Sequence, residues 1–119
     1  MIPAVTVLAL SFNRPKQLRA LLDSIRDQTF SELECLVCDD ASTNPETLAL
    51  LESVDAGTYD LRFRVLRGPI YTPAEKAAMC TPAALYNAGM GFARGEFLSC
   101  IGVGGAYKPR RLERLVAYL

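Results

Sequence analysis

Cys35-Leu36-Val37-Cys38-Asp39-Asp40 is a run of four apolar residues closed by two carboxylates. A run this short, with no polar residue to mark a wet face, reads as a strand covered on both sides, as in parallel sheets. Two acids at its end are costly to bury without donors or cations, which makes residues 39–40 a candidate ligand edge. The flanking segments set the fold class. Upstream, Val5 to Leu10 is another β-rich apolar run. Between the two strands Leu18, Leu21, Leu22 and Ile25 fall at i, i+3, i+4 and i+7, the stripe of a helix packed on one side. Asn13 is its expected N-cap, and Pro15 suits its first turn.

Downstream the alternation continues. Asn44-Pro45 opens a second helix with Leu48, Leu51 and Val54 inward. Leu61, Phe63 and Val65 alternate with Arg62 and Arg64, a strand with one wet face and therefore an edge. Thr72-Pro73-Ala74-Glu75 has capping-box spacing, predicting a short helical turn after Gly68-Pro69. Thr81-Pro82 starts a further helix with Leu85, Ala88, Gly89 and Phe92 on one face and Gly95 as C-cap. Phe97 to Ile101 is the fourth strand. After a glycine-rich turn, Pro109 opens a last helix with Leu112, Leu115, Val116 and Leu119 at helical spacing. Strands separated by helix-length segments predict an α/β fold, doubly wound around a mostly parallel sheet.

At 119 residues the chain suits one domain, residues 1–119, and one core. Lysine plus arginine balance aspartate plus glutamate at 13 each. That lacks the basic excess of a dedicated nucleic-acid or membrane-surface binder. No apolar run reaches the length of a membrane span and the start reads as a strand, so the expectation is a cytoplasmic protein. Cys35 and Cys38 form a lone C-x-x-C, but i and i+3 on a strand face opposite ways. With no histidine and no second cysteine pair, no zinc site is expected. The four cysteines read as small core residues of a reducing compartment. The last residue, Leu119, falls on an apolar helical position without a cap, which suits a trimmed chain or a surface awaiting a partner, and self-association is expected there.

Ligands of open α/β sheets bind outside the carboxyl ends of the strands. Three segments fall there: Ser11-Phe12-Asn13-Arg14, Asp39-Asp40, and Gly102 to Tyr107. One of the two acids can accept from a nucleobase N–H or ribose hydroxyl, while Asp40 or Ser42 equally suits capping of the next turn. Phe12 can stack on a base or pack at the rim. Arg14 can meet a phosphate or stay solvated.

Over essentially its whole length the chain resembles the opening of family 2 glycosyltransferases of the GT-A fold. The run VTVLALSFNRPKQLRALLDSIRDQTFSELECLVCDDAST is similar to their V-S-V-I-I-P-T-Y-N-R, S-I-L-x-Q-T-F and D-D-x-S motifs. AALYNAGMGFARGEFLSCIGVGGAYKPRRL is similar to A-x-N-x-G, A-x-G-E-Y-I and D-D-D-x-Y-x-P-x-x-L. Q-T-F, A-A-L-x-N and Y-x-P-x-R-L also resemble the spore-coat polysaccharide type.

The resemblance implies transfer of a sugar from a nucleotide-diphosphate donor of uridine type. Ser11 and Phe12 then occupy nucleotide-contacting positions, with Asn13 and Arg14 following, and Asp40 matches the base-contacting carboxylate with Asp39 beside it. The family also uses Mg²⁺ or Mn²⁺, held by aspartates after the fourth strand. Here Gly104 stands at the ligand position, no aspartate follows Asp60, and the only later acids are Glu75, Glu96 and Glu113. A hard divalent cation needs oxygen ligands, so no metal is expected. Thr81 and Tyr86 stand where a phosphate-contacting arginine would be. Gly102, Gly104 and Gly105 can instead offer backbone N–H groups to a diphosphate. The family's acceptor-binding half, with its general base, lies outside these motifs. The expectations are therefore a glycosyltransferase-like domain of doubtful catalytic competence alone, or a non-catalytic nucleotide-binding or protein-interaction module. A receiver-like signalling domain fits worse, because the acidic pair follows the second strand.

Overall fold

A computed structural model describes residues 2–68, 74–75, 81–102 and 104–118. Four strands, β1 (Val5–Ser11), β2 (Leu33–Asp39), β3 (Phe63–Arg67) and β4 (Phe97–Gly102), form one sheet in the order β3-β2-β1-β4. Every pairing is parallel. The chain moves from β1 outward to β2 and β3, then returns to place β4 on the far side of β1. Strand order thus reverses beside β1, where such sheets take their ligands.

Helices α1 (Pro15–Arg26), α2 (Pro45–Asp55) and α4 (Arg111–Tyr118) supply one face, and α3 (Thr81–Phe92) the other. Period-two alternation divides the strands between them. Val5, Val7, Ala9, Cys35 and Val37 pack with Leu18, Leu21, Leu22 and Ile25 of α1 and with Leu50, Leu51 and Val54 of α2. Leu8, Leu36 and Cys38 pack with Leu85 of α3. Cys35 and Cys38 therefore do lie on opposite faces. Burial pushes both thiols up, Cys38 to about 11, so neither is a thiolate ligand at neutral pH. All four stripe residues of α1 are fully buried, each contributing about 1.5–3 kcal/mol.

Tertiary context changed several local expectations. Arg14, not Asn13, is the N-cap of α1, and it makes no side-chain cap bond. On α2, Leu50 is buried where Leu48 was expected, because the wider stripe turns Thr47, Leu50, Leu51 and Val54 inward. Leu61 precedes β3 and is 88% exposed. Only Leu85 and Gly89 of the α3 set are buried, and Ala88 and Phe92 face outward. Leu115 is exposed on α4, which begins two residues after Pro109. Ala74 and Glu75 are helical, whereas Thr72, Pro73 and Leu119 lie outside the described residues.

Gly95 is no left-handed C-cap, since among the described glycines only Gly57 and Gly104 have positive φ. It marks a close approach instead. A Cβ there would stand 2.6 Å from the backbone nitrogen of Thr6. Gly95→Ala should therefore destabilise the domain by about 1–3 kcal/mol or more, read as a lowered urea midpoint. An unchanged midpoint would contradict this packing. Beside it, Glu34 of β2 is buried at 2% exposure and accepts from Thr6 Oγ1 at 2.7 Å, the Arg94 backbone N–H at 2.7 Å and the Arg64 guanidinium at 3.0 Å. Thr6 Oγ1 in turn accepts the Gly95 N–H at 2.9 Å. This clasp ties the end of α3 to the sheet.

Candidate functional site

At the carboxyl ends of the strands, register places Ser11, Asp39 and Arg67 side by side across β1, β2 and β3. One further bond, from Asp40 N–H to Ser11 C=O at 2.9 Å, extends the β1–β2 ladder past the strand. Gly68 N–H closes the other side on Asp39 C=O at 2.7 Å. Asp40 thus starts its loop from a backbone anchored on the strands to either side.

Asp39 is fully buried, and its carboxylate closes a local turn. Oδ2 accepts the Ser42 backbone N–H at 2.8 Å, and Oδ1 accepts the Ser42 hydroxyl at 2.5 Å. The Arg67 guanidinium adds an ion pair at 3.6 Å and donates to Ser42 C=O at 3.1 Å. Ser42 Oγ also accepts the Asn13 backbone N–H at 3.0 Å. Asn13 itself has φ 49°, a left-handed conformation that asparagine tolerates better than most residues. Its side-chain Oδ1 accepts from the backbone N–H groups of Thr43 at 2.7 Å and Asn44 at 2.9 Å. Asn44 Oδ1 then caps α2 by accepting Thr47 N–H at 3.0 Å.

These bonds join the loops after β1 and β2 into one braced unit. A loop held this way presents its ligand groups without first ordering them, which preserves binding free energy. The two adjacent acids separate in role: Asp39 is consumed internally, and Asp40, 9% exposed, is the acid of the pair nearer the surface. Phe12 is 42% exposed at the rim. Arg14 is exposed beside it, at the start of α1. Ser11 is fully buried, and its Oγ has no hydrogen-bond partner among the described residues. Its side chain is closed to a ligand in this arrangement.

Sequence reasoning placed Asn13 at the ligand and offered Ser42 as a cap of the next turn, but missed Arg67 and the link from Ser42 to Asn13. The i to i+3 spacing of Asp39 and Ser42 was the available signal, since such pairs close Asx-type turns. Arg67 carried no signal at all, because its partners are 25 and 28 residues away.

The turn after β4 is built otherwise. Gly102 ends the strand opposite Leu10. Gly105 N–H donates to Gly102 C=O at 3.2 Å, so it is engaged within the turn. Gly104 has φ +99°, where a side chain is strained, although a Cβ would meet no other atom. No carboxylate stands on this turn, and among the described residues no group of three histidine, cysteine or acidic side chains is placed to hold a metal ion. This turn offers a hard divalent cation no carboxylate oxygen.

Residues 6–119 match the profile of Glycosyl transferase family 2. The chain belongs to this family. The family 2 domain is 30% identical over 112 residues to Protein CgeD of Bacillus subtilis, covering 94% of this chain and 25% of CgeD. It is 27% identical over 117 residues to an uncharacterized glycosyltransferase of Haemophilus influenzae, covering 98% of this chain and 33% of that protein. Among solved structures, the fold matches S. aureus TarS residues 1–349 in complex with UDP at TM-score 0.77 and 24% identity, over 96% of this chain and 31% of that one. It also matches the mannosyltransferase PcManGT of Pyrobaculum calidifontis with GDP-Man and Mn²⁺ at TM-score 0.72 and 22% identity, over 92% of this chain and 30% of that one. The family 2 domain thus spans a quarter to a third of these relatives. The expected doubly wound α/β architecture is the one found. Among the described residues no helix is long and apolar enough to cross a membrane.

Proposed function

We propose that this family 2 domain binds a nucleotide-diphosphate sugar of uridine type at the carboxyl ends of β1 and β2. The observation that carries the reading is the braced double loop, in which Asn13, Asp39, Ser42 and Arg67 hold Asp40 and Phe12 at the carboxyl ends of β2 and β1, beside the point where strand order reverses. Asp40 would accept the base N–H, Phe12 would stack on the base and Arg14 would meet the phosphates. The reaction served is sugar transfer from the nucleotide. Support comes from family membership and from relatives of the same fold whose structures hold UDP or GDP-Man.

In this reading the metal motif is degenerate at Gly104 and donor binding is metal-independent, so no step is routed through a cation. A cytoplasmic location and self-association through the exposed face of α4 belong to the same reading. A non-catalytic nucleotide-binding module is the second reading, favoured by the carboxylate-free turn after β4.

Calorimetric titration with UDP and UDP-sugars, with and without Mn²⁺, tests both. Metal-independent UDP binding is the expected result, and no heat from any nucleotide diphosphate would overturn both readings. Asp40→Asn should weaken UDP binding about 10-fold or more, the share of a hydrogen bond to a charged acceptor. Equal affinity of variant and wild type would remove Asp40 from the site.

A further inference from the structure

The chain is neutral overall, but its charge is unevenly placed. Residues 108–114 carry four cations, Lys108, Arg110, Arg111 and Arg114, against one acid, Glu113, a net charge of +3 within seven residues. The fold gathers all four cations around a groove of about 660 Å³ between the loop before α4 and the exposed side of that helix. Glu113 accepts Arg110 Nε at 2.6 Å and the Thr29 hydroxyl at 3.3 Å, and it also feels the charge of Arg114. Arg111 lies over the Tyr107 ring at 4.9 Å, which holds the guanidinium in place without neutralising it. Lys108 and Arg114 form no ion pair with an acid among the described residues.

Ala106 of the turn after β4 lines one end of the groove, while its Lys108 and Pro109 end lies far from the loops after β1 and β2. Lys108 C=O accepts Gln28 Nε2 at 2.7 Å, and Pro109 C=O accepts Thr29 N–H at 2.9 Å. Gln28 and Thr29 follow the C-terminal end of α1, whereas Phe12 and Asn13 precede its start. The two regions are therefore separated by roughly the 20 Å length of α1 and of the strands beneath it. Clustered like charges repel one another, and holding a net charge of +3 at one groove is favourable when a multivalent anion bridges the cations. Guanidinium groups match phosphate oxygens with paired donors.

We propose that this groove binds a phosphate-bearing ligand, at a site separate from the nucleotide edge. Calorimetric titration of the full chain at low salt with inorganic pyrophosphate and tripolyphosphate tests it. Both should bind, more weakly as salt is raised. The double variant R111Q/R114Q should weaken that binding by about tenfold or more, while R14Q, at the residue proposed to meet the nucleotide phosphates, leaves it unchanged. K108Q/R114Q spares the contact with Tyr107 and should show the same loss if R111Q/R114Q fails to fold. Vesicles containing phosphatidylglycerol distinguish the source: pyrophosphate-competed binding identifies a lipid headgroup, and pyrophosphate binding without vesicle binding identifies a soluble phosphate. Three results would overturn the proposal: neither anion binds the wild type, the charge variants bind as it does, or R14Q removes the binding.

Discussion

Glu34→Ala is expected to lower the stability of the domain by about 2–5 kcal/mol, because it leaves buried donors on two separate segments without an acceptor. The Thr6 hydroxyl and the Arg94 backbone N–H would both lose their partner. The Arg64 and Arg94 side chains contribute less, being 45% and 60% exposed and therefore well screened. The loss should appear as a fall in Tm of roughly 10 °C or more. A change within about 1 kcal/mol of zero would show that the clasp does not hold α3 to the sheet.

The same residue sets a pH signature. Burial raises the Glu34 pKa, but the bonds from Thr6, Arg94 and Arg64 outweigh it and hold the carboxyl below its ordinary value. A depressed folded-state pKa contributes stability that is complete above the unfolded value and lost as pH falls through the folded one. The urea midpoint should therefore drop below about pH 4.3, and Glu34→Ala should flatten part of that drop. Asp60, held low chiefly by its hydrogen bonds with Arg62, retains its own share.

The second large effect is expected at Asp39. Asp39→Ala removes the acceptor of Ser42 N–H and Ser42 Oγ and the counter-charge of Arg67. A stability loss of about 2–4 kcal/mol follows from the orphaned groups. The braced loop would also lose its shape, so UDP affinity should fall at least about tenfold at temperatures where the variant remains folded. Stability and binding are read separately, by urea titration and by calorimetry. Undiminished UDP affinity in a folded Asp39→Ala variant would show that the brace does not set the site.

Much of this was legible along the chain. The Leu18, Leu21, Leu22 and Ile25 stripe and the apolar run at residues 35–38 were read correctly because periodicity reports burial directly. The family motifs pointed to the carboxyl ends of β1 and β2 as the ligand edge proposed above. Boundaries and faces near the chain's later half were read less well. Leu61, Ala88, Phe92 and Leu115 fit apolar spacings yet face outward, since a pattern says which residues can share a face and not whether anything covers it.

Sequence by itself determined the alternation of strand and helix, the parallel sheet, the family and the position of Asp39 and Asp40 at a strand end. Those follow from local periodicity and from motifs contained in a few residues. Only the tertiary structure decided that Asp39 is an internal brace, that Asn13 clamps the second loop rather than capping α1, and that Arg67 joins them. It also decided that four cations near the start of α4 surround one groove. The physical reason is that each of these arrangements rests on residues brought together by strand register or helix packing. A hydrogen bond between positions 13 and 42, or 42 and 67, leaves no periodic trace in the chain that makes it.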